Sequence, residues 1–448
     1  MKSILAIFIV IAIFYSIPVY AKVKIVQWND IRLRYEFQNN FNKKSYGNKP
    51  IVGSKDDGFL LGRIRTGAIF NFSKNIELSL GLQHSVSWDT ALKNDDFYKK
   101  NFGLKNNPYK AYLEPFKTYL KLKNIFSLPL SLKIGRQLIF YGDHRIFGPG
   151  SWGNSGRWNW DAVKLSYKFK RGFVDIYWGR SVLHKFNQFS YNHRHGYESE
   201  GFYSSYTLSN ASPLIKIQLF AMTKKDFHKR YKSERGIFDD LNSYYYGFRT
   251  VLKNFYNFTS DFTYIKQEGD YSKDDIDAYG YHLLIGYDFG YFNFKPCLSF
   301  EFTYASGDNN HKDGKHKTFD GAFGALDQVL GRINLFKWQN VKDYQLNLTF
   351  NLFKKLYFKT QYHDFYLSKR KDAWYLNSKY YIDKTGKSGD RVGKEFDIEC
   401  KYKLNKISTL HTGFGHFWPG QFAKNVTHSE SQANWFFIQF EIKFKSGG

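Results

Sequence analysis

Tyr344-Gln345-Leu346-Asn347-Leu348-Thr349-Phe350-Asn351-Leu352 alternates without a break: every second residue is apolar, and each one between is Gln, Asn or Thr. Successive side chains of a strand point to opposite faces, so this stretch makes a ribbon with one greasy and one wet face. The same pattern recurs from Ile64 to Phe72, Tyr244 to Leu252, Phe396 to Leu404 and Phe436 to Phe444. It therefore extends over the chain rather than marking a single hairpin.

Short and long connections separate these segments. Ser73-Lys74-Asn75, Phe353-Lys354-Lys355 and Asn405-Lys406 are tight turns, whereas residues 40–57, 89–114, 142–158, 181–197, 223–242, 306–341, 369–393 and 418–432 are long and polar. That rhythm predicts an all-β protein, a transmembrane antiparallel β-barrel of about 18 strands with both chain ends on the periplasmic side. A two-sheet sandwich shares the alternation, but it needs two inner faces packed into one core. Here the faces opposite the apolar ones carry many charges. Composition agrees: 45 Phe and 35 Tyr accompany a mean hydropathy of −0.52, as when only alternate residues meet lipid and aromatic girdles mark both interfaces.

At the start, Lys2 precedes an apolar run from Ile4 to Ile17, and Val19-Tyr20-Ala21 follows with a small residue at the last position. Residues 1–21 read as a signal peptide and 22–448 as one barrel domain, since no composition break divides them. Past Ala21 no stretch approaches the roughly 18 apolar residues that a membrane helix needs. Alternation places the two cysteines, Cys297 and Cys400, on opposite strand faces, which argues against a bridge. A balance of 66 basic to 40 acidic residues, +26, would attract nucleic acid, anionic lipid or an acidic polymer. Export from the cytoplasm to the outer membrane of a Gram-negative cell sets nucleic acid aside. Outer-membrane lipid and lipopolysaccharide would then surround the wall.

Alternation also assigns faces within strands. Ile31, Leu33, Tyr35 and Phe37 go to the lipid side, and Arg32, Arg34 and Glu36 go to the lumen. By the same argument Arg63, Arg65, Arg249 and the trio Lys117, Lys121 and Lys123 line the interior. A guanidinium is planar, always charged and matched to a carboxylate, so arginines on several strands would hand an anionic chain from site to site. Weak repeated binding is what conduction requires. The plainer alternative is that these arginines pair with Asp175, Asp261, Glu301, Asp397 or Glu399 and brace the wall.

Residues 135–161 read GRQLIFYGDHRIFGPGSWGNSGRWNWD. Together with Thr318-Phe319-Asp320 through Gly331-Arg332-Ile333-Asn334, Gly393-Lys394-Glu395-Phe396-Asp397 and Phe417-Trp418-Pro419-Gly420, this segment resembles the alginate export family over most of the chain. The resemblance implies an 18-stranded barrel whose constriction of arginine and lysine, with a few acidic residues, passes a secreted polyuronate. It also implies a synthesis complex or periplasmic scaffold delivering the polymer, and a plug formed by loop 306–341. Within the first motif, Arg136 shares parity with Leu132 and Ile134, which would put it toward lipid. A bulge at Gly135 would switch the parity and return it to the pore. Asp143, Arg145, Arg157 and Asp161 supply balanced charges to brace a loop folded over the pore, with Gly148-Pro149-Gly150 forming its turns.

Other functions leave weaker traces. His193-Arg194-His195 and His311 with Asp313 and His316 are the clusters an outer-membrane enzyme would use, yet no nucleophile stands at a diagnostic spacing. No catalytic residue, metal or cofactor is therefore assigned. A general anion-preferring porin or small-solute uptake channel would share the basic lumen, and an adhesin would have a blocked one.

Overall fold

The alternating segments become the staves of a closed barrel. The computed structural model describes residues 23–47, 52–99, 104–150, 152–156, 158–189, 195–209, 213–325, 329–353, 355–376 and 379–446. The proposed signal segment, Arg157, His193 and Arg194 fall outside them.

Its wall comprises β1 (Lys24–Asn39), β2 (Asp57–Asn71), β3 (Ile76–Trp88), β4 (Ala111–Pro115, resuming as Thr118–Leu122), β5 (Leu130–Leu138) and β6 (Asn159–Phe169). Next come β7 (Gly172–Val182), β8 (His195–Ser209), β9 (Leu214–Lys232), β10 (Phe238–Phe255), β11 (Phe258–Tyr271) and β12 (Asp274–Asp288). The circuit ends with β13 (Cys297–Ala305), β14 (Val341–Leu352), β15 (Leu356–Leu367), β16 (Arg391–Lys403), β17 (Ser408–Pro419) and β18 (Ala433–Ser446). Each strand pairs antiparallel with the next. Arg34 of β1 lies opposite Leu61 of β2 on one side and Gln439 of β18 on the other, so the 18 strands close without a free edge.

Faces follow the period of two. In β1 the exposures of Ile31, Leu33, Tyr35 and Phe37 are 39–48%, whereas those of Arg32, Arg34 and Glu36 are 2–4%. Both cysteines are free. Cys297 shares the inward parity of Glu301, and Cys400 shares the outward parity of the exposed Ile398.

Two expectations change. Residues 223–242 are not a long loop: β9 runs on to Lys232 and β10 starts at Phe238, leaving a five-residue turn. Strand pairing satisfies the backbone whether or not side chains alternate in polarity, so strands continue past the zone where lipid imposes the pattern. Nor does Gly135 carry a parity-switching bulge. Leu130 to Leu138 pair with Tyr167 to Asn159 in unbroken register, and Leu132 to Arg136 do the same against β4. Gly135 instead takes φ +122°, and a Cβ there would come 2.6 Å from the Thr118 carbonyl oxygen.

The interior is packed by the described residues of two inward loops, 139–150, 152–156 and 158 of the first and 306–325 and 329–340 of the second. Their backbones bond to each other, Phe323 N–H to Ile146 O at 2.9 Å and Gly148 N–H to Phe323 O at 3.1 Å. Phe147, Trp160, Phe319, Phe323, Phe336 and Trp338 form a buried aromatic core within the wall. A short helix α1 (Gln421–Thr427) lies in the β17–β18 loop and buries Phe422 and Ala423.

Candidate pore constriction

In continuous register, Arg32 of β1 sits directly opposite Arg63 of β2. Like charges at paired positions repel, so the pair requires counter-charge. Arg63 Nη2 donates to both Asp30 oxygens at 3.0 and 3.2 Å and lies 3.6 Å from Glu441. Arg34 Nη2 meets Glu36 at 2.7 Å. Arg65 Nε donates to Gln83 Oε1 at 2.5 Å, and its guanidinium lies 4.4 Å from the Phe116 ring.

Further terminal nitrogens of these arginines reach the loop that follows β5. Arg32 Nη2 donates to Gly153 O at 3.1 Å and Asn154 Oδ1 at 3.0 Å. Arg34 Nη1 donates to Trp152 O at 2.8 Å, and Arg63 Nη1 to Gly153 O at 3.2 Å. Asn154 then fastens the loop to the wall, its amide donating toward the carbonyls of Gly62, Val86 and Tyr109 at 2.8–3.2 Å. Trp152 lies between two guanidiniums, 3.7 Å from Arg34 and 4.8 Å from Arg332. Its ring also meets Trp435 and Phe437 edge-on at 5.3 and 4.6 Å. Arg332 comes from the second inward loop. It stands 3.3 Å from Glu399, while its backbone N–H and that of Ile333 donate to Asp397 and Glu395 at 3.1 and 2.9 Å. A cavity of about 510 Å³ opens beside this knot, touching Arg34, Glu36, Lys224, Asp320, Arg332 and Trp435.

A second group braces the far side. Arg145 donates to Asp143 at 3.2 Å and to Thr303 at 3.3 Å and lies 3.6 Å from Glu301. Arg249 binds Asp261 at 2.8 Å and Gln218 at 3.0 Å. Burial alone would raise the Asp143 carboxyl, but the guanidiniums of Arg145 and Arg249 outweigh it and push it down to about 2.

Arg136 and Asp161 belong elsewhere. Arg136 keeps the parity of the exposed Ile134 and grips Asp161 with two bonds of 2.8 Å; Asp161 in turn pairs opposite Arg180, whose side chain is 49% exposed. His195 joins the same carboxylate at 3.0 Å. This cluster sits on the outer face near the long-loop rim, and the placement of both residues at the pore is corrected accordingly. Of the remaining histidines, His316 stacks on Tyr271 at 4.1 Å, and Asp313 pairs with Lys317. His311 offers a donor atom within 4.8 Å of Glu234 and Asp308, the set in the described residues that could hold a metal.

Face parity was legible in the sequence for Arg32, Arg34, Arg63, Arg65 and Arg249. Trp152, Asn154 and Arg332 were not, although each lies in a quoted motif, because residues on irregular loops have no period that assigns them a face.

A family model described as alginate export matches residues 27–437. No curated protein sequence matches the chain. Among solved structures the fold is similar to OccK11 (OpdR) of Pseudomonas aeruginosa, at 12% identity over 94% of this chain and 96% of that one, with a TM-score of 0.58. OccAB2 of Acinetobacter baumannii is similar at 12% identity over 94% and 98%, TM-score 0.57. The outer membrane protein OprD of Pseudomonas aeruginosa is similar at 12% over 94% of each chain, TM-score 0.57.

Proposed function

Because the chain belongs to the alginate export family, outer-membrane β-barrel channels of Gram-negative bacteria rather than enzymes, we propose that it exports a polyuronate through the constriction around Arg34. One observation supports the reading above others: the guanidiniums of Arg34 on β1 and Arg332 on the second inward loop meet the Trp152 ring, and Arg63 of β2 holds the next carbonyl, Gly153, beside a cavity lined by both acidic and basic side chains. Carboxylates of a passing chain would exchange with Glu36, Glu399 and the loop carbonyls as partners of these arginines. Such exchange is near-balanced, which permits transit instead of trapping. Processing after Ala21, a periplasmic scaffold that delivers the polymer, and lipopolysaccharide against the outer wall belong to the same proposal.

Single-channel recording in planar bilayers tests it. The channel should prefer chloride over potassium, and a soluble polyuronate should block the current where a neutral polysaccharide of equal length does not. Anion preference without polymer block would instead favour a small-solute uptake channel. Cation preference would refute both.

A further inference from the structure

The inner wall carries a second basic group near the short turns. Lys133 of β5 pairs directly with Lys121 of β4 on one side and Lys164 of β6 on the other. Three like charges at adjacent paired positions weaken a sheet, so the row calls for compensation. Lys164 has it: its Nζ lies 2.7 Å from Asp175. The carboxylate paired opposite Lys121 is Glu77, which is already held by Lys123 at 2.5 Å and by the Tyr119 hydroxyl at 3.2 Å. Lys117, at the break in β4, adds to the same positive field. Among the described residues, neither Lys117, Lys121 nor Lys133 has a carboxylate within ion-pair distance. Aromatic rings steady two of them, Lys133 Nζ at 3.7 Å from the Tyr119 ring and Lys117 Nζ at 5.1 Å from that of Trp28. All three are half-buried, with part of each side chain open to solvent.

The constriction differs in kind. There the terminal guanidinium nitrogens of Arg34 and Arg63 are engaged by Asp30, Glu36 and the carbonyls of Trp152 and Gly153. Lys117, Lys121 and Lys133 form a cluster of inner-wall cations without such pairing among the described residues, whereas Lys359 of β15 stands singly, and they lie toward the end where the short turns are, β1 begins and β18 ends. We propose that Lys117, Lys121 and Lys133 form a carboxylate-binding entry site at the periplasmic mouth, which captures the uronate groups of the polymer before they reach the arginine constriction. The site rests on the polyuronate reading above.

The test uses full-length protein in planar bilayers at low salt, with soluble polyuronate added to one side at a time. A unit charge about 5 Å from the ion path in a water-like dielectric changes local anion concentration about fourfold. The double variant Lys121→Gln/Lys133→Gln should therefore cut the polymer's blocking on-rate from the periplasmic side about tenfold, and leave that from the extracellular side within about twofold. Lys121→Arg/Lys133→Arg should keep the wild-type on-rate. The glutamines remove repulsion, so the barrel should fold; each single variant repeats the test with one charge. An unchanged periplasmic on-rate overturns the entry site and leaves the export reading in place. A wild-type channel that polyuronate blocks from neither side overturns the export reading itself.

Discussion

Trp152→Ala should release the first inward loop while the barrel stays assembled. The ring makes two cation–π contacts, at 3.7 Å with Arg34 and 4.8 Å with Arg332, and two edge-on aromatic contacts at 5.3 and 4.6 Å. Contacts of the first kind contribute about 0.5–2 kcal/mol each and those of the second about 0.5–1.5 kcal/mol each. They share one ring and are not additive, so a net loss of about 3 kcal/mol is reasonable, at the low end for removing a packed Trp. Since about 1.4 kcal/mol is tenfold, the released loop should become about a hundredfold more populated. Arg34 keeps Glu36 and Gln439, and Asn154 keeps its carbonyls, so the loop should flicker between states instead of leaving permanently. Single-channel traces should show frequent transitions to a higher conductance, and an added protease should cut within residues 139–158 faster than in the parent. Heat-modifiable migration on gels should be unchanged, because the strand ladder is untouched. Quiet traces at parental conductance, with parental protease resistance, would refute the view that Trp152 ties the two loops together.

Asn154→Ala removes donors to the carbonyls of Gly62, Val86 and Tyr109 and the acceptor of Arg32. Buried groups left unsatisfied cost about 1–3 kcal/mol each, so loop release should be at least as marked as in Trp152→Ala, read by the same conductance assay. Gly331 has φ +75°, and a Cβ there would come 2.5 Å from Glu395. Gly331→Ala should displace the Arg332 turn and change the tryptophan emission from Trp152 and Trp435, with a parental spectrum counting against it. The Asp143 carboxyl is held down to about 2, so its stabilisation of the loop is complete above the ordinary value of about 4 and is lost as pH falls through about 2. Asp143→Asn should show the acid-opened conductance already at pH 6, and a variant with parental conductance across that window would contradict this.

The sequence by itself determined the wall. A period of two needs no partner to be read, and lipid outside with water inside makes that period obligatory wherever the strand crosses the bilayer. Hence the inward arginines of β1 and β2 and the opposite faces of Cys297 and Cys400 could be assigned from spacing. The parity of Arg136 is equally readable, and no bulge is needed to keep it from lipid: at the rim its charge is met by Asp161. The strand ends within 223–242 carry no such signal for a related reason, since beyond the bilayer nothing forces polar and apolar residues to alternate. What fills the barrel was decided by tertiary structure alone. Arg32 of β1 meets Asn154 at a separation of 122 residues and Gly62 of β2 meets it at 92, and Trp152 meets Arg332 from a different loop, so loop geometry, not periodicity, chooses the partner. The lysine row likewise exists only through register, because Lys121, Lys133 and Lys164 become neighbours when three strands pair and not before.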